Sequence, residues 1–109
     1  MLNTVTFLVR STMQNDPRRI RIKNQGYPFQ PQIGGHICLP CVGEIRVCPQ
    51  VRIVDIEFPA SNYFQGPQEL TCYGELTYQD FNLYYEWLES LKEKAGLTHQ
   101  WERWSLCKL

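Results

Sequence analysis

At 109 residues, 43% of them apolar and 20% charged, the chain has the composition of one globular domain with its own core, and disordered or fibrous classes are excluded. Eleven basic and eleven acidic groups cancel, and a pI near 6.7 lies far from the pI above about 9 expected of a committed nucleic-acid domain. The cancellation is not local: residues 1–54 carry a balance of +5 and residues 55–109 a balance of −5, which predicts a polarised surface and a charged partner or a homodimer.

Leu2 to Arg10 has the period-two character of a strand, and it lacks the basic start and small-residue cleavage site of a signal peptide. Ser11 to Pro17 is turn chemistry. Arg18 to Lys23 then alternates cleanly, with Arg19, Arg21 and Lys23 on one face and Ile20 and Ile22 on the other. The two segments predict a hairpin. Asn24 to Gly35 holds three Gly and two Pro, so it is expected as an irregular exposed loop presenting Tyr27 and Phe29. His36 to Leu39, Glu44 to Cys48, Val51 to Phe58 and Leu70 to Leu76 read as strands, with a break at Pro49 and a bulge at Gly74. Between the last two, Pro59 to Gln68 forms a second exposed loop with Tyr63 and Phe64.

One helix is predicted. Thr77 to Asp80 resembles a capping box, in which the Thr hydroxyl accepts from a freed N–H and the acid reaches back. Phe81, Tyr84, Tyr85, Leu88, Leu91 and Ala95 recur at helical spacing as a buried stripe, and Gly96 suits the C′ position. Trp101, Trp104 and Leu106 are expected to pack back on the sheet or lengthen it. The whole reads as a single domain over 1–109: mainly β over 1–76, helix over 77–96, and a tail over 97–109. The fold class is α+β, either a small antiparallel sheet or a partly open SH3-like β-barrel of five or six strands with one C-terminal helix.

Three constellations could carry function. His36, Cys38, Cys41 and Cys48, with Cys72, contain a C-x-x-C pair that can take two corners of a zinc tetrahedron. The second C-x-x-C of a zinc ribbon is missing, so no cofactor is expected and zinc is the alternative. Five cysteines are an odd number and no secretion signal accompanies them, which favours reduced thiols and a cytoplasmic location. The face of Arg19, Arg21 and Lys23 spaces its cations ~6.7 Å apart, close to the spacing of phosphates, and Arg10, Arg18, Arg46 and Arg52 could extend it. Glu75, Asp80, Glu86, Glu89 and Glu93 make the region of the helix acidic, suited to a basic partner. No glycine-rich phosphate loop, nucleophile elbow or metalloprotease helix is present, and an enzyme is not expected.

The run Ile33-Gly34-Gly35-His36-Ile37-Cys38-Leu39-Pro40, followed by Glu44-Ile45-Arg46-Val47 and Val51-Arg52-Ile53-Val54, resembles the glycine–strand–turn–strand rhythm of small SH3-like barrels. Compact chains of this kind are similar to small proteins of phages and mobile elements. No functional residue follows from the likeness. The expected function is a small non-enzymatic cytosolic binding or adaptor protein, acting through a protein–protein interface that uses Tyr27, Phe29, Tyr63 and Phe64. The alternative is a nucleic-acid-binding small β-barrel using Arg19, Arg21, Lys23, Arg46 and Arg52. No membrane partner is expected, because no apolar run approaches the ~20 residues that cross a bilayer.

Overall fold

Strict alternation builds both central strands: in β1 (Asn3–Ser11), Val5, Phe7, Val9 and Ser11 turn inward, and in β5 (Glu69–Leu76), Leu70, Cys72, Gly74 and Leu76 do the same. The structure is a computed structural model that describes residues 3–39, 48–58, 69–93 and 104–106. The other strands are β2 (Arg19–Tyr27), β3 (His36–Cys38), β4 (Gln50–Glu57) and β6 (Trp104–Leu106), and the helix α1 spans Tyr78–Glu93. Their order in the sheet is β3-β4-β5-β1-β2-β6.

The α+β class with a helix after the fifth strand is as expected, but the sheet is not antiparallel throughout. β1 and β5 pair in parallel from Thr4 with Glu69 to Ser11 with Leu76, whereas every other pairing among the described residues is antiparallel. A parallel pair needs a long connection, and the intervening chain with β2, β3 and β4 supplies it. The expected strand at Glu44 to Cys48 and the loop carrying Tyr63 and Phe64 lie outside the described residues, apart from Cys48, which is not in a strand. The tail lengthens the sheet: Trp104 to Leu106 pairs antiparallel with Asn24 to Ile22.

Helix α1 covers one face. Phe81, Tyr84 and Leu88 are buried with the inward residues of the sheet, and Tyr85 and Trp87 pack against the same cluster. The predicted stripe therefore holds over its described part. Its cap differs in detail, because the Thr77 hydroxyl donates to the Asp80 carboxylate at 2.6 Å while Phe81 N–H donates to the Thr77 carbonyl. No described helix is long and apolar enough to cross a membrane.

Two irregularities shape the sheet. In β2, Val5 faces Asn24 but Asn3 faces Tyr27, so one extra residue is inserted. The buried Asn24 side chain accepts from Gly26 N–H at 2.8 Å and satisfies the bulge. The insertion also turns Tyr27 onto the helix side, where its ring meets Phe7 edge-on at 5.5 Å. In β4, Ile53 faces Gly74 and Asp55 faces Tyr73, so Val54 is the extra residue. The bulge predicted at Gly74 thus sits across from it, on the neighbouring strand.

Candidate functional site: the open face of the sheet

The face away from α1 carries the residues that alternate with the core. Register places them in rows. The first row runs Arg19, Arg10, Glu75, Arg52 and His36 across β2, β1, β5, β4 and β3. Below it stand Arg21, Leu8, Tyr73 and Asp55, then Lys23, Thr6, Thr71 and Glu57. The centre is half-buried and partly apolar, whereas Arg19, Arg21, Arg52, Asp55 and Glu57 are exposed. A recess of about 440 Å³ opens there, walled by Leu8, Val54, Tyr73 and Gly74 with Arg10, Arg19 and Asp55 at its rim. A second recess of about 340 Å³ adjoins it at the β1–β2 turn and shares Arg10 and Arg19.

Electrostatics divide this face sideways. The β2 column is wholly basic among Arg19, Arg21 and Lys23, while the lower β4–β5 side carries Asp55, Glu57 and Glu69. Glu75 bridges the two sides, 3.7 Å from Arg10 and 3.6 Å from Arg52. The Tyr73 hydroxyl donates to Glu57 at 2.8 Å, and that bond raises the phenol pKa above its ordinary value. The charge split between chain halves is therefore expressed in part as a dipole across one exposed surface.

Other expected site residues are scattered or occupied. Arg19, Arg21, Lys23 and Arg52 do share the open face, but Arg46 lies outside the described residues. Arg18 is excluded from that group. It forks onto Asp16, donates to Asn82 and lies 5.2 Å from the Phe81 and Tyr85 ring centres, so it fastens the β1–β2 turn to the helix. Tyr27, expected on an exposed loop, is a half-buried strand residue whose burial raises its pKa. Phe29 is 69% exposed and touches Tyr27 edge-on at 6.0 Å. Tyr63 and Phe64 lie outside the described residues. The acidic set does not gather: Glu75 is on the open face, Asp80 is bonded to Thr77, and Glu86 and Glu89 are on the exposed side of α1.

The cysteines depart from the all-reduced set. Cys48 is disulfide-bonded, so in this state its sulfur is not a thiolate ligand. Cys38 is free and exposed, and His36 shares its face of β3. Cys41 lies outside the described residues. Cys72 is buried beneath the helix, and desolvation pushes its thiol up to about 11, which makes it an inert core filler and not a nucleophile. Among the described residues no group of three His, Cys, Asp or Glu side chains is placed to hold a metal ion.

Sequence reasoning had named Arg10, Arg19, Arg21, Lys23 and Arg52 but missed Leu8, Tyr73 and Asp55. The signal for the first two was available. In VTFLVR and LTCYGEL, alternation that sends Val5, Phe7, Leu70 and Cys72 inward must send Leu8 and Tyr73 outward. Asp55 was hidden by the Val54 bulge, which shifts the period by one residue.

Comparison with known proteins adds nothing to this picture: no family model, curated protein or solved structure matches the chain.

Proposed function

We propose that the chain is a non-enzymatic binding domain whose protein–protein interface is the open face of the sheet. The supporting observation is the make-up of that face, a half-buried centre of Leu8, Val54 and Tyr73 ringed by exposed charges of both signs. An apolar centre inside a polar rim is the anatomy of protein interfaces. This moves the interface away from the Tyr27–Phe29 segment, since Tyr27 is committed to packing on Phe7, whereas Tyr63 and Phe64 lie outside the described residues. The test is affinity capture from cells with three versions of the chain. Leu8→Glu should lower recovery of bound protein about tenfold, the effect of losing one interface anchor, while Phe29→Ser leaves it unchanged. The reverse pattern would assign the interface to the loop and overturn the proposal.

A second reading is supported by the Arg19, Arg21 and Lys23 column, whose cations all point to the open face with single-strand phosphate spacing. It predicts oligonucleotide binding whose affinity falls steeply with salt, with a shallower slope in Arg21→Glu. The four acids on the same face, Asp55, Glu57, Glu69 and Glu75, place this reading second. The SH3-like likeness of Ile33 to Val54 and a phage or mobile-element origin rest on the sequence rhythm alone.

A further inference from the structure

We infer that the partner on the open face is a second copy of this chain, bound face to face about a two-fold axis that lies between the copies and runs along the strands; this rests on the interface reading above. The inference comes from the register of the charges. Rotation about such an axis lays the β2 column of one copy over the β4 column of the other, and β1 over β5. Arg21 then meets Asp55, Lys23 meets Glu57, and Leu8 meets Tyr73, because each pair shares a row. Arg10 falls over Glu75 in the row above. Isologous symmetry makes every one of these contacts twice.

The alternative axis is ruled out by the same map. A two-fold across the strands would set β2 against β2, with Arg21 facing Arg21 and Arg19 facing Lys23. Like charges placed opposite are repulsive. Among the described residues the strand-parallel axis has one kind of like-charge contact, Arg19 against Arg52, made twice, in the row nearest the β1–β2 turn. Packed sheets cross at about 30°, which splays their corners apart and leaves that contact in solvent.

Size sets the strength. Four strands about 4.8 Å apart and eight residues rising ~3.3 Å each give a face of roughly 19 by 26 Å. Doubled, that is about 1,000 Å², the lower bound for a specific interface. The dimer is therefore weak and, with rim ion pairs at its core of specificity, sensitive to salt.

The experiment is sedimentation of the full chain at low and high salt with three variants. A dimer at low salt that dissociates in high salt is expected. Arg21→Asp and Asp55→Arg should each weaken it about tenfold, since each creates two like-charge contacts, and the double variant R21D/D55R should restore it. Thermal melting of each variant verifies folding, and restoration in the double variant separates a lost interface from a lost fold. A monomer at low salt, or a dimer indifferent to both reversals, overturns the inference. If the chain is monomeric and Leu8→Glu still releases captured proteins, the interface reading stands and only the second copy falls. If Leu8→Glu releases nothing either, both fall.

Discussion

Gly74 shows how a single residue fixes the geometry beneath the open face. It lies in the middle of β5, where glycine weakens a strand unless something requires its missing side chain. Here the requirement is steric: a Cβ at this position would stand 2.1 Å from Val51 Cγ1. Val51 is fully buried and its branched side chain is stiff, so it cannot swing aside. Gly74→Ala should therefore destabilise the fold by about 1–3 kcal/mol, the usual cost of overpacking. Urea unfolding measures this, and Val51→Ala, which removes the clashing methyl, should make the pair less damaging than the sum of the single changes. Additive losses would mean that the two positions are independent. Sequence reading marked Gly74 as a bulge because it saw the anomaly in β5 but not its partner. The cause lay across the ladder, in the extra residue Val54 of β4.

Elements were legible where the signal was local and obscure where it was not. The stripe of Phe81, Tyr84, Tyr85 and Leu88 repeats within one helix and needed no partner to be read. Tyr27 could not be placed that way, since Gly26 and Pro28 around it signal a loop while the Asn24-capped bulge keeps it in β2. The parallel pairing of β1 with β5 was equally hidden, because nothing in either strand names a neighbour more than sixty residues away. The tie between the β1–β2 turn and α1 is another long-range device, and it titrates. Arg18 forks onto Asp16 at 2.9 and 2.7 Å, and this hydrogen bonding holds the carboxyl at about 2, below its ordinary 3.8. A depressed native pKa contributes stability above the unfolded value, and that contribution is lost as pH falls from about 3.8 towards 2. Asp16→Asn should accordingly lower the melting temperature at pH 6 and have little effect at pH 2. A melting difference that does not change between those two pH values would show that Arg18 is anchored by Asn82 and the two rings alone.

For the whole molecule, the parallel pair makes the helix indispensable. Antiparallel sheets tolerate water on one face, but this sheet uses β1 and β5 as its centre and packs helix α1 on the inner face of both. Phe81, Tyr84 and Leu88 supply that cover, each at most 5% exposed. Among the described residues the outer face has no such cover, and the proposed interface rests on that contrast. Loss of one cover residue tests how far the two faces differ. Phe81→Ala should cost about 3–5 kcal/mol, as expected for a buried ring left as a cavity, and it should do so without altering Arg21, Asp55 or Tyr73 on the opposite side. Leu8→Ala, a truncation at the half-buried centre of the open face, should cost less than Phe81→Ala because its site is already partly hydrated. Denaturant midpoints at low protein concentration, where a weak dimer is dissociated, report these costs for the fold alone. If Leu8→Ala proved as costly as Phe81→Ala under those conditions, the outer face would be part of the core. It would then be committed to stability within one chain and would have little left to contribute to an interface.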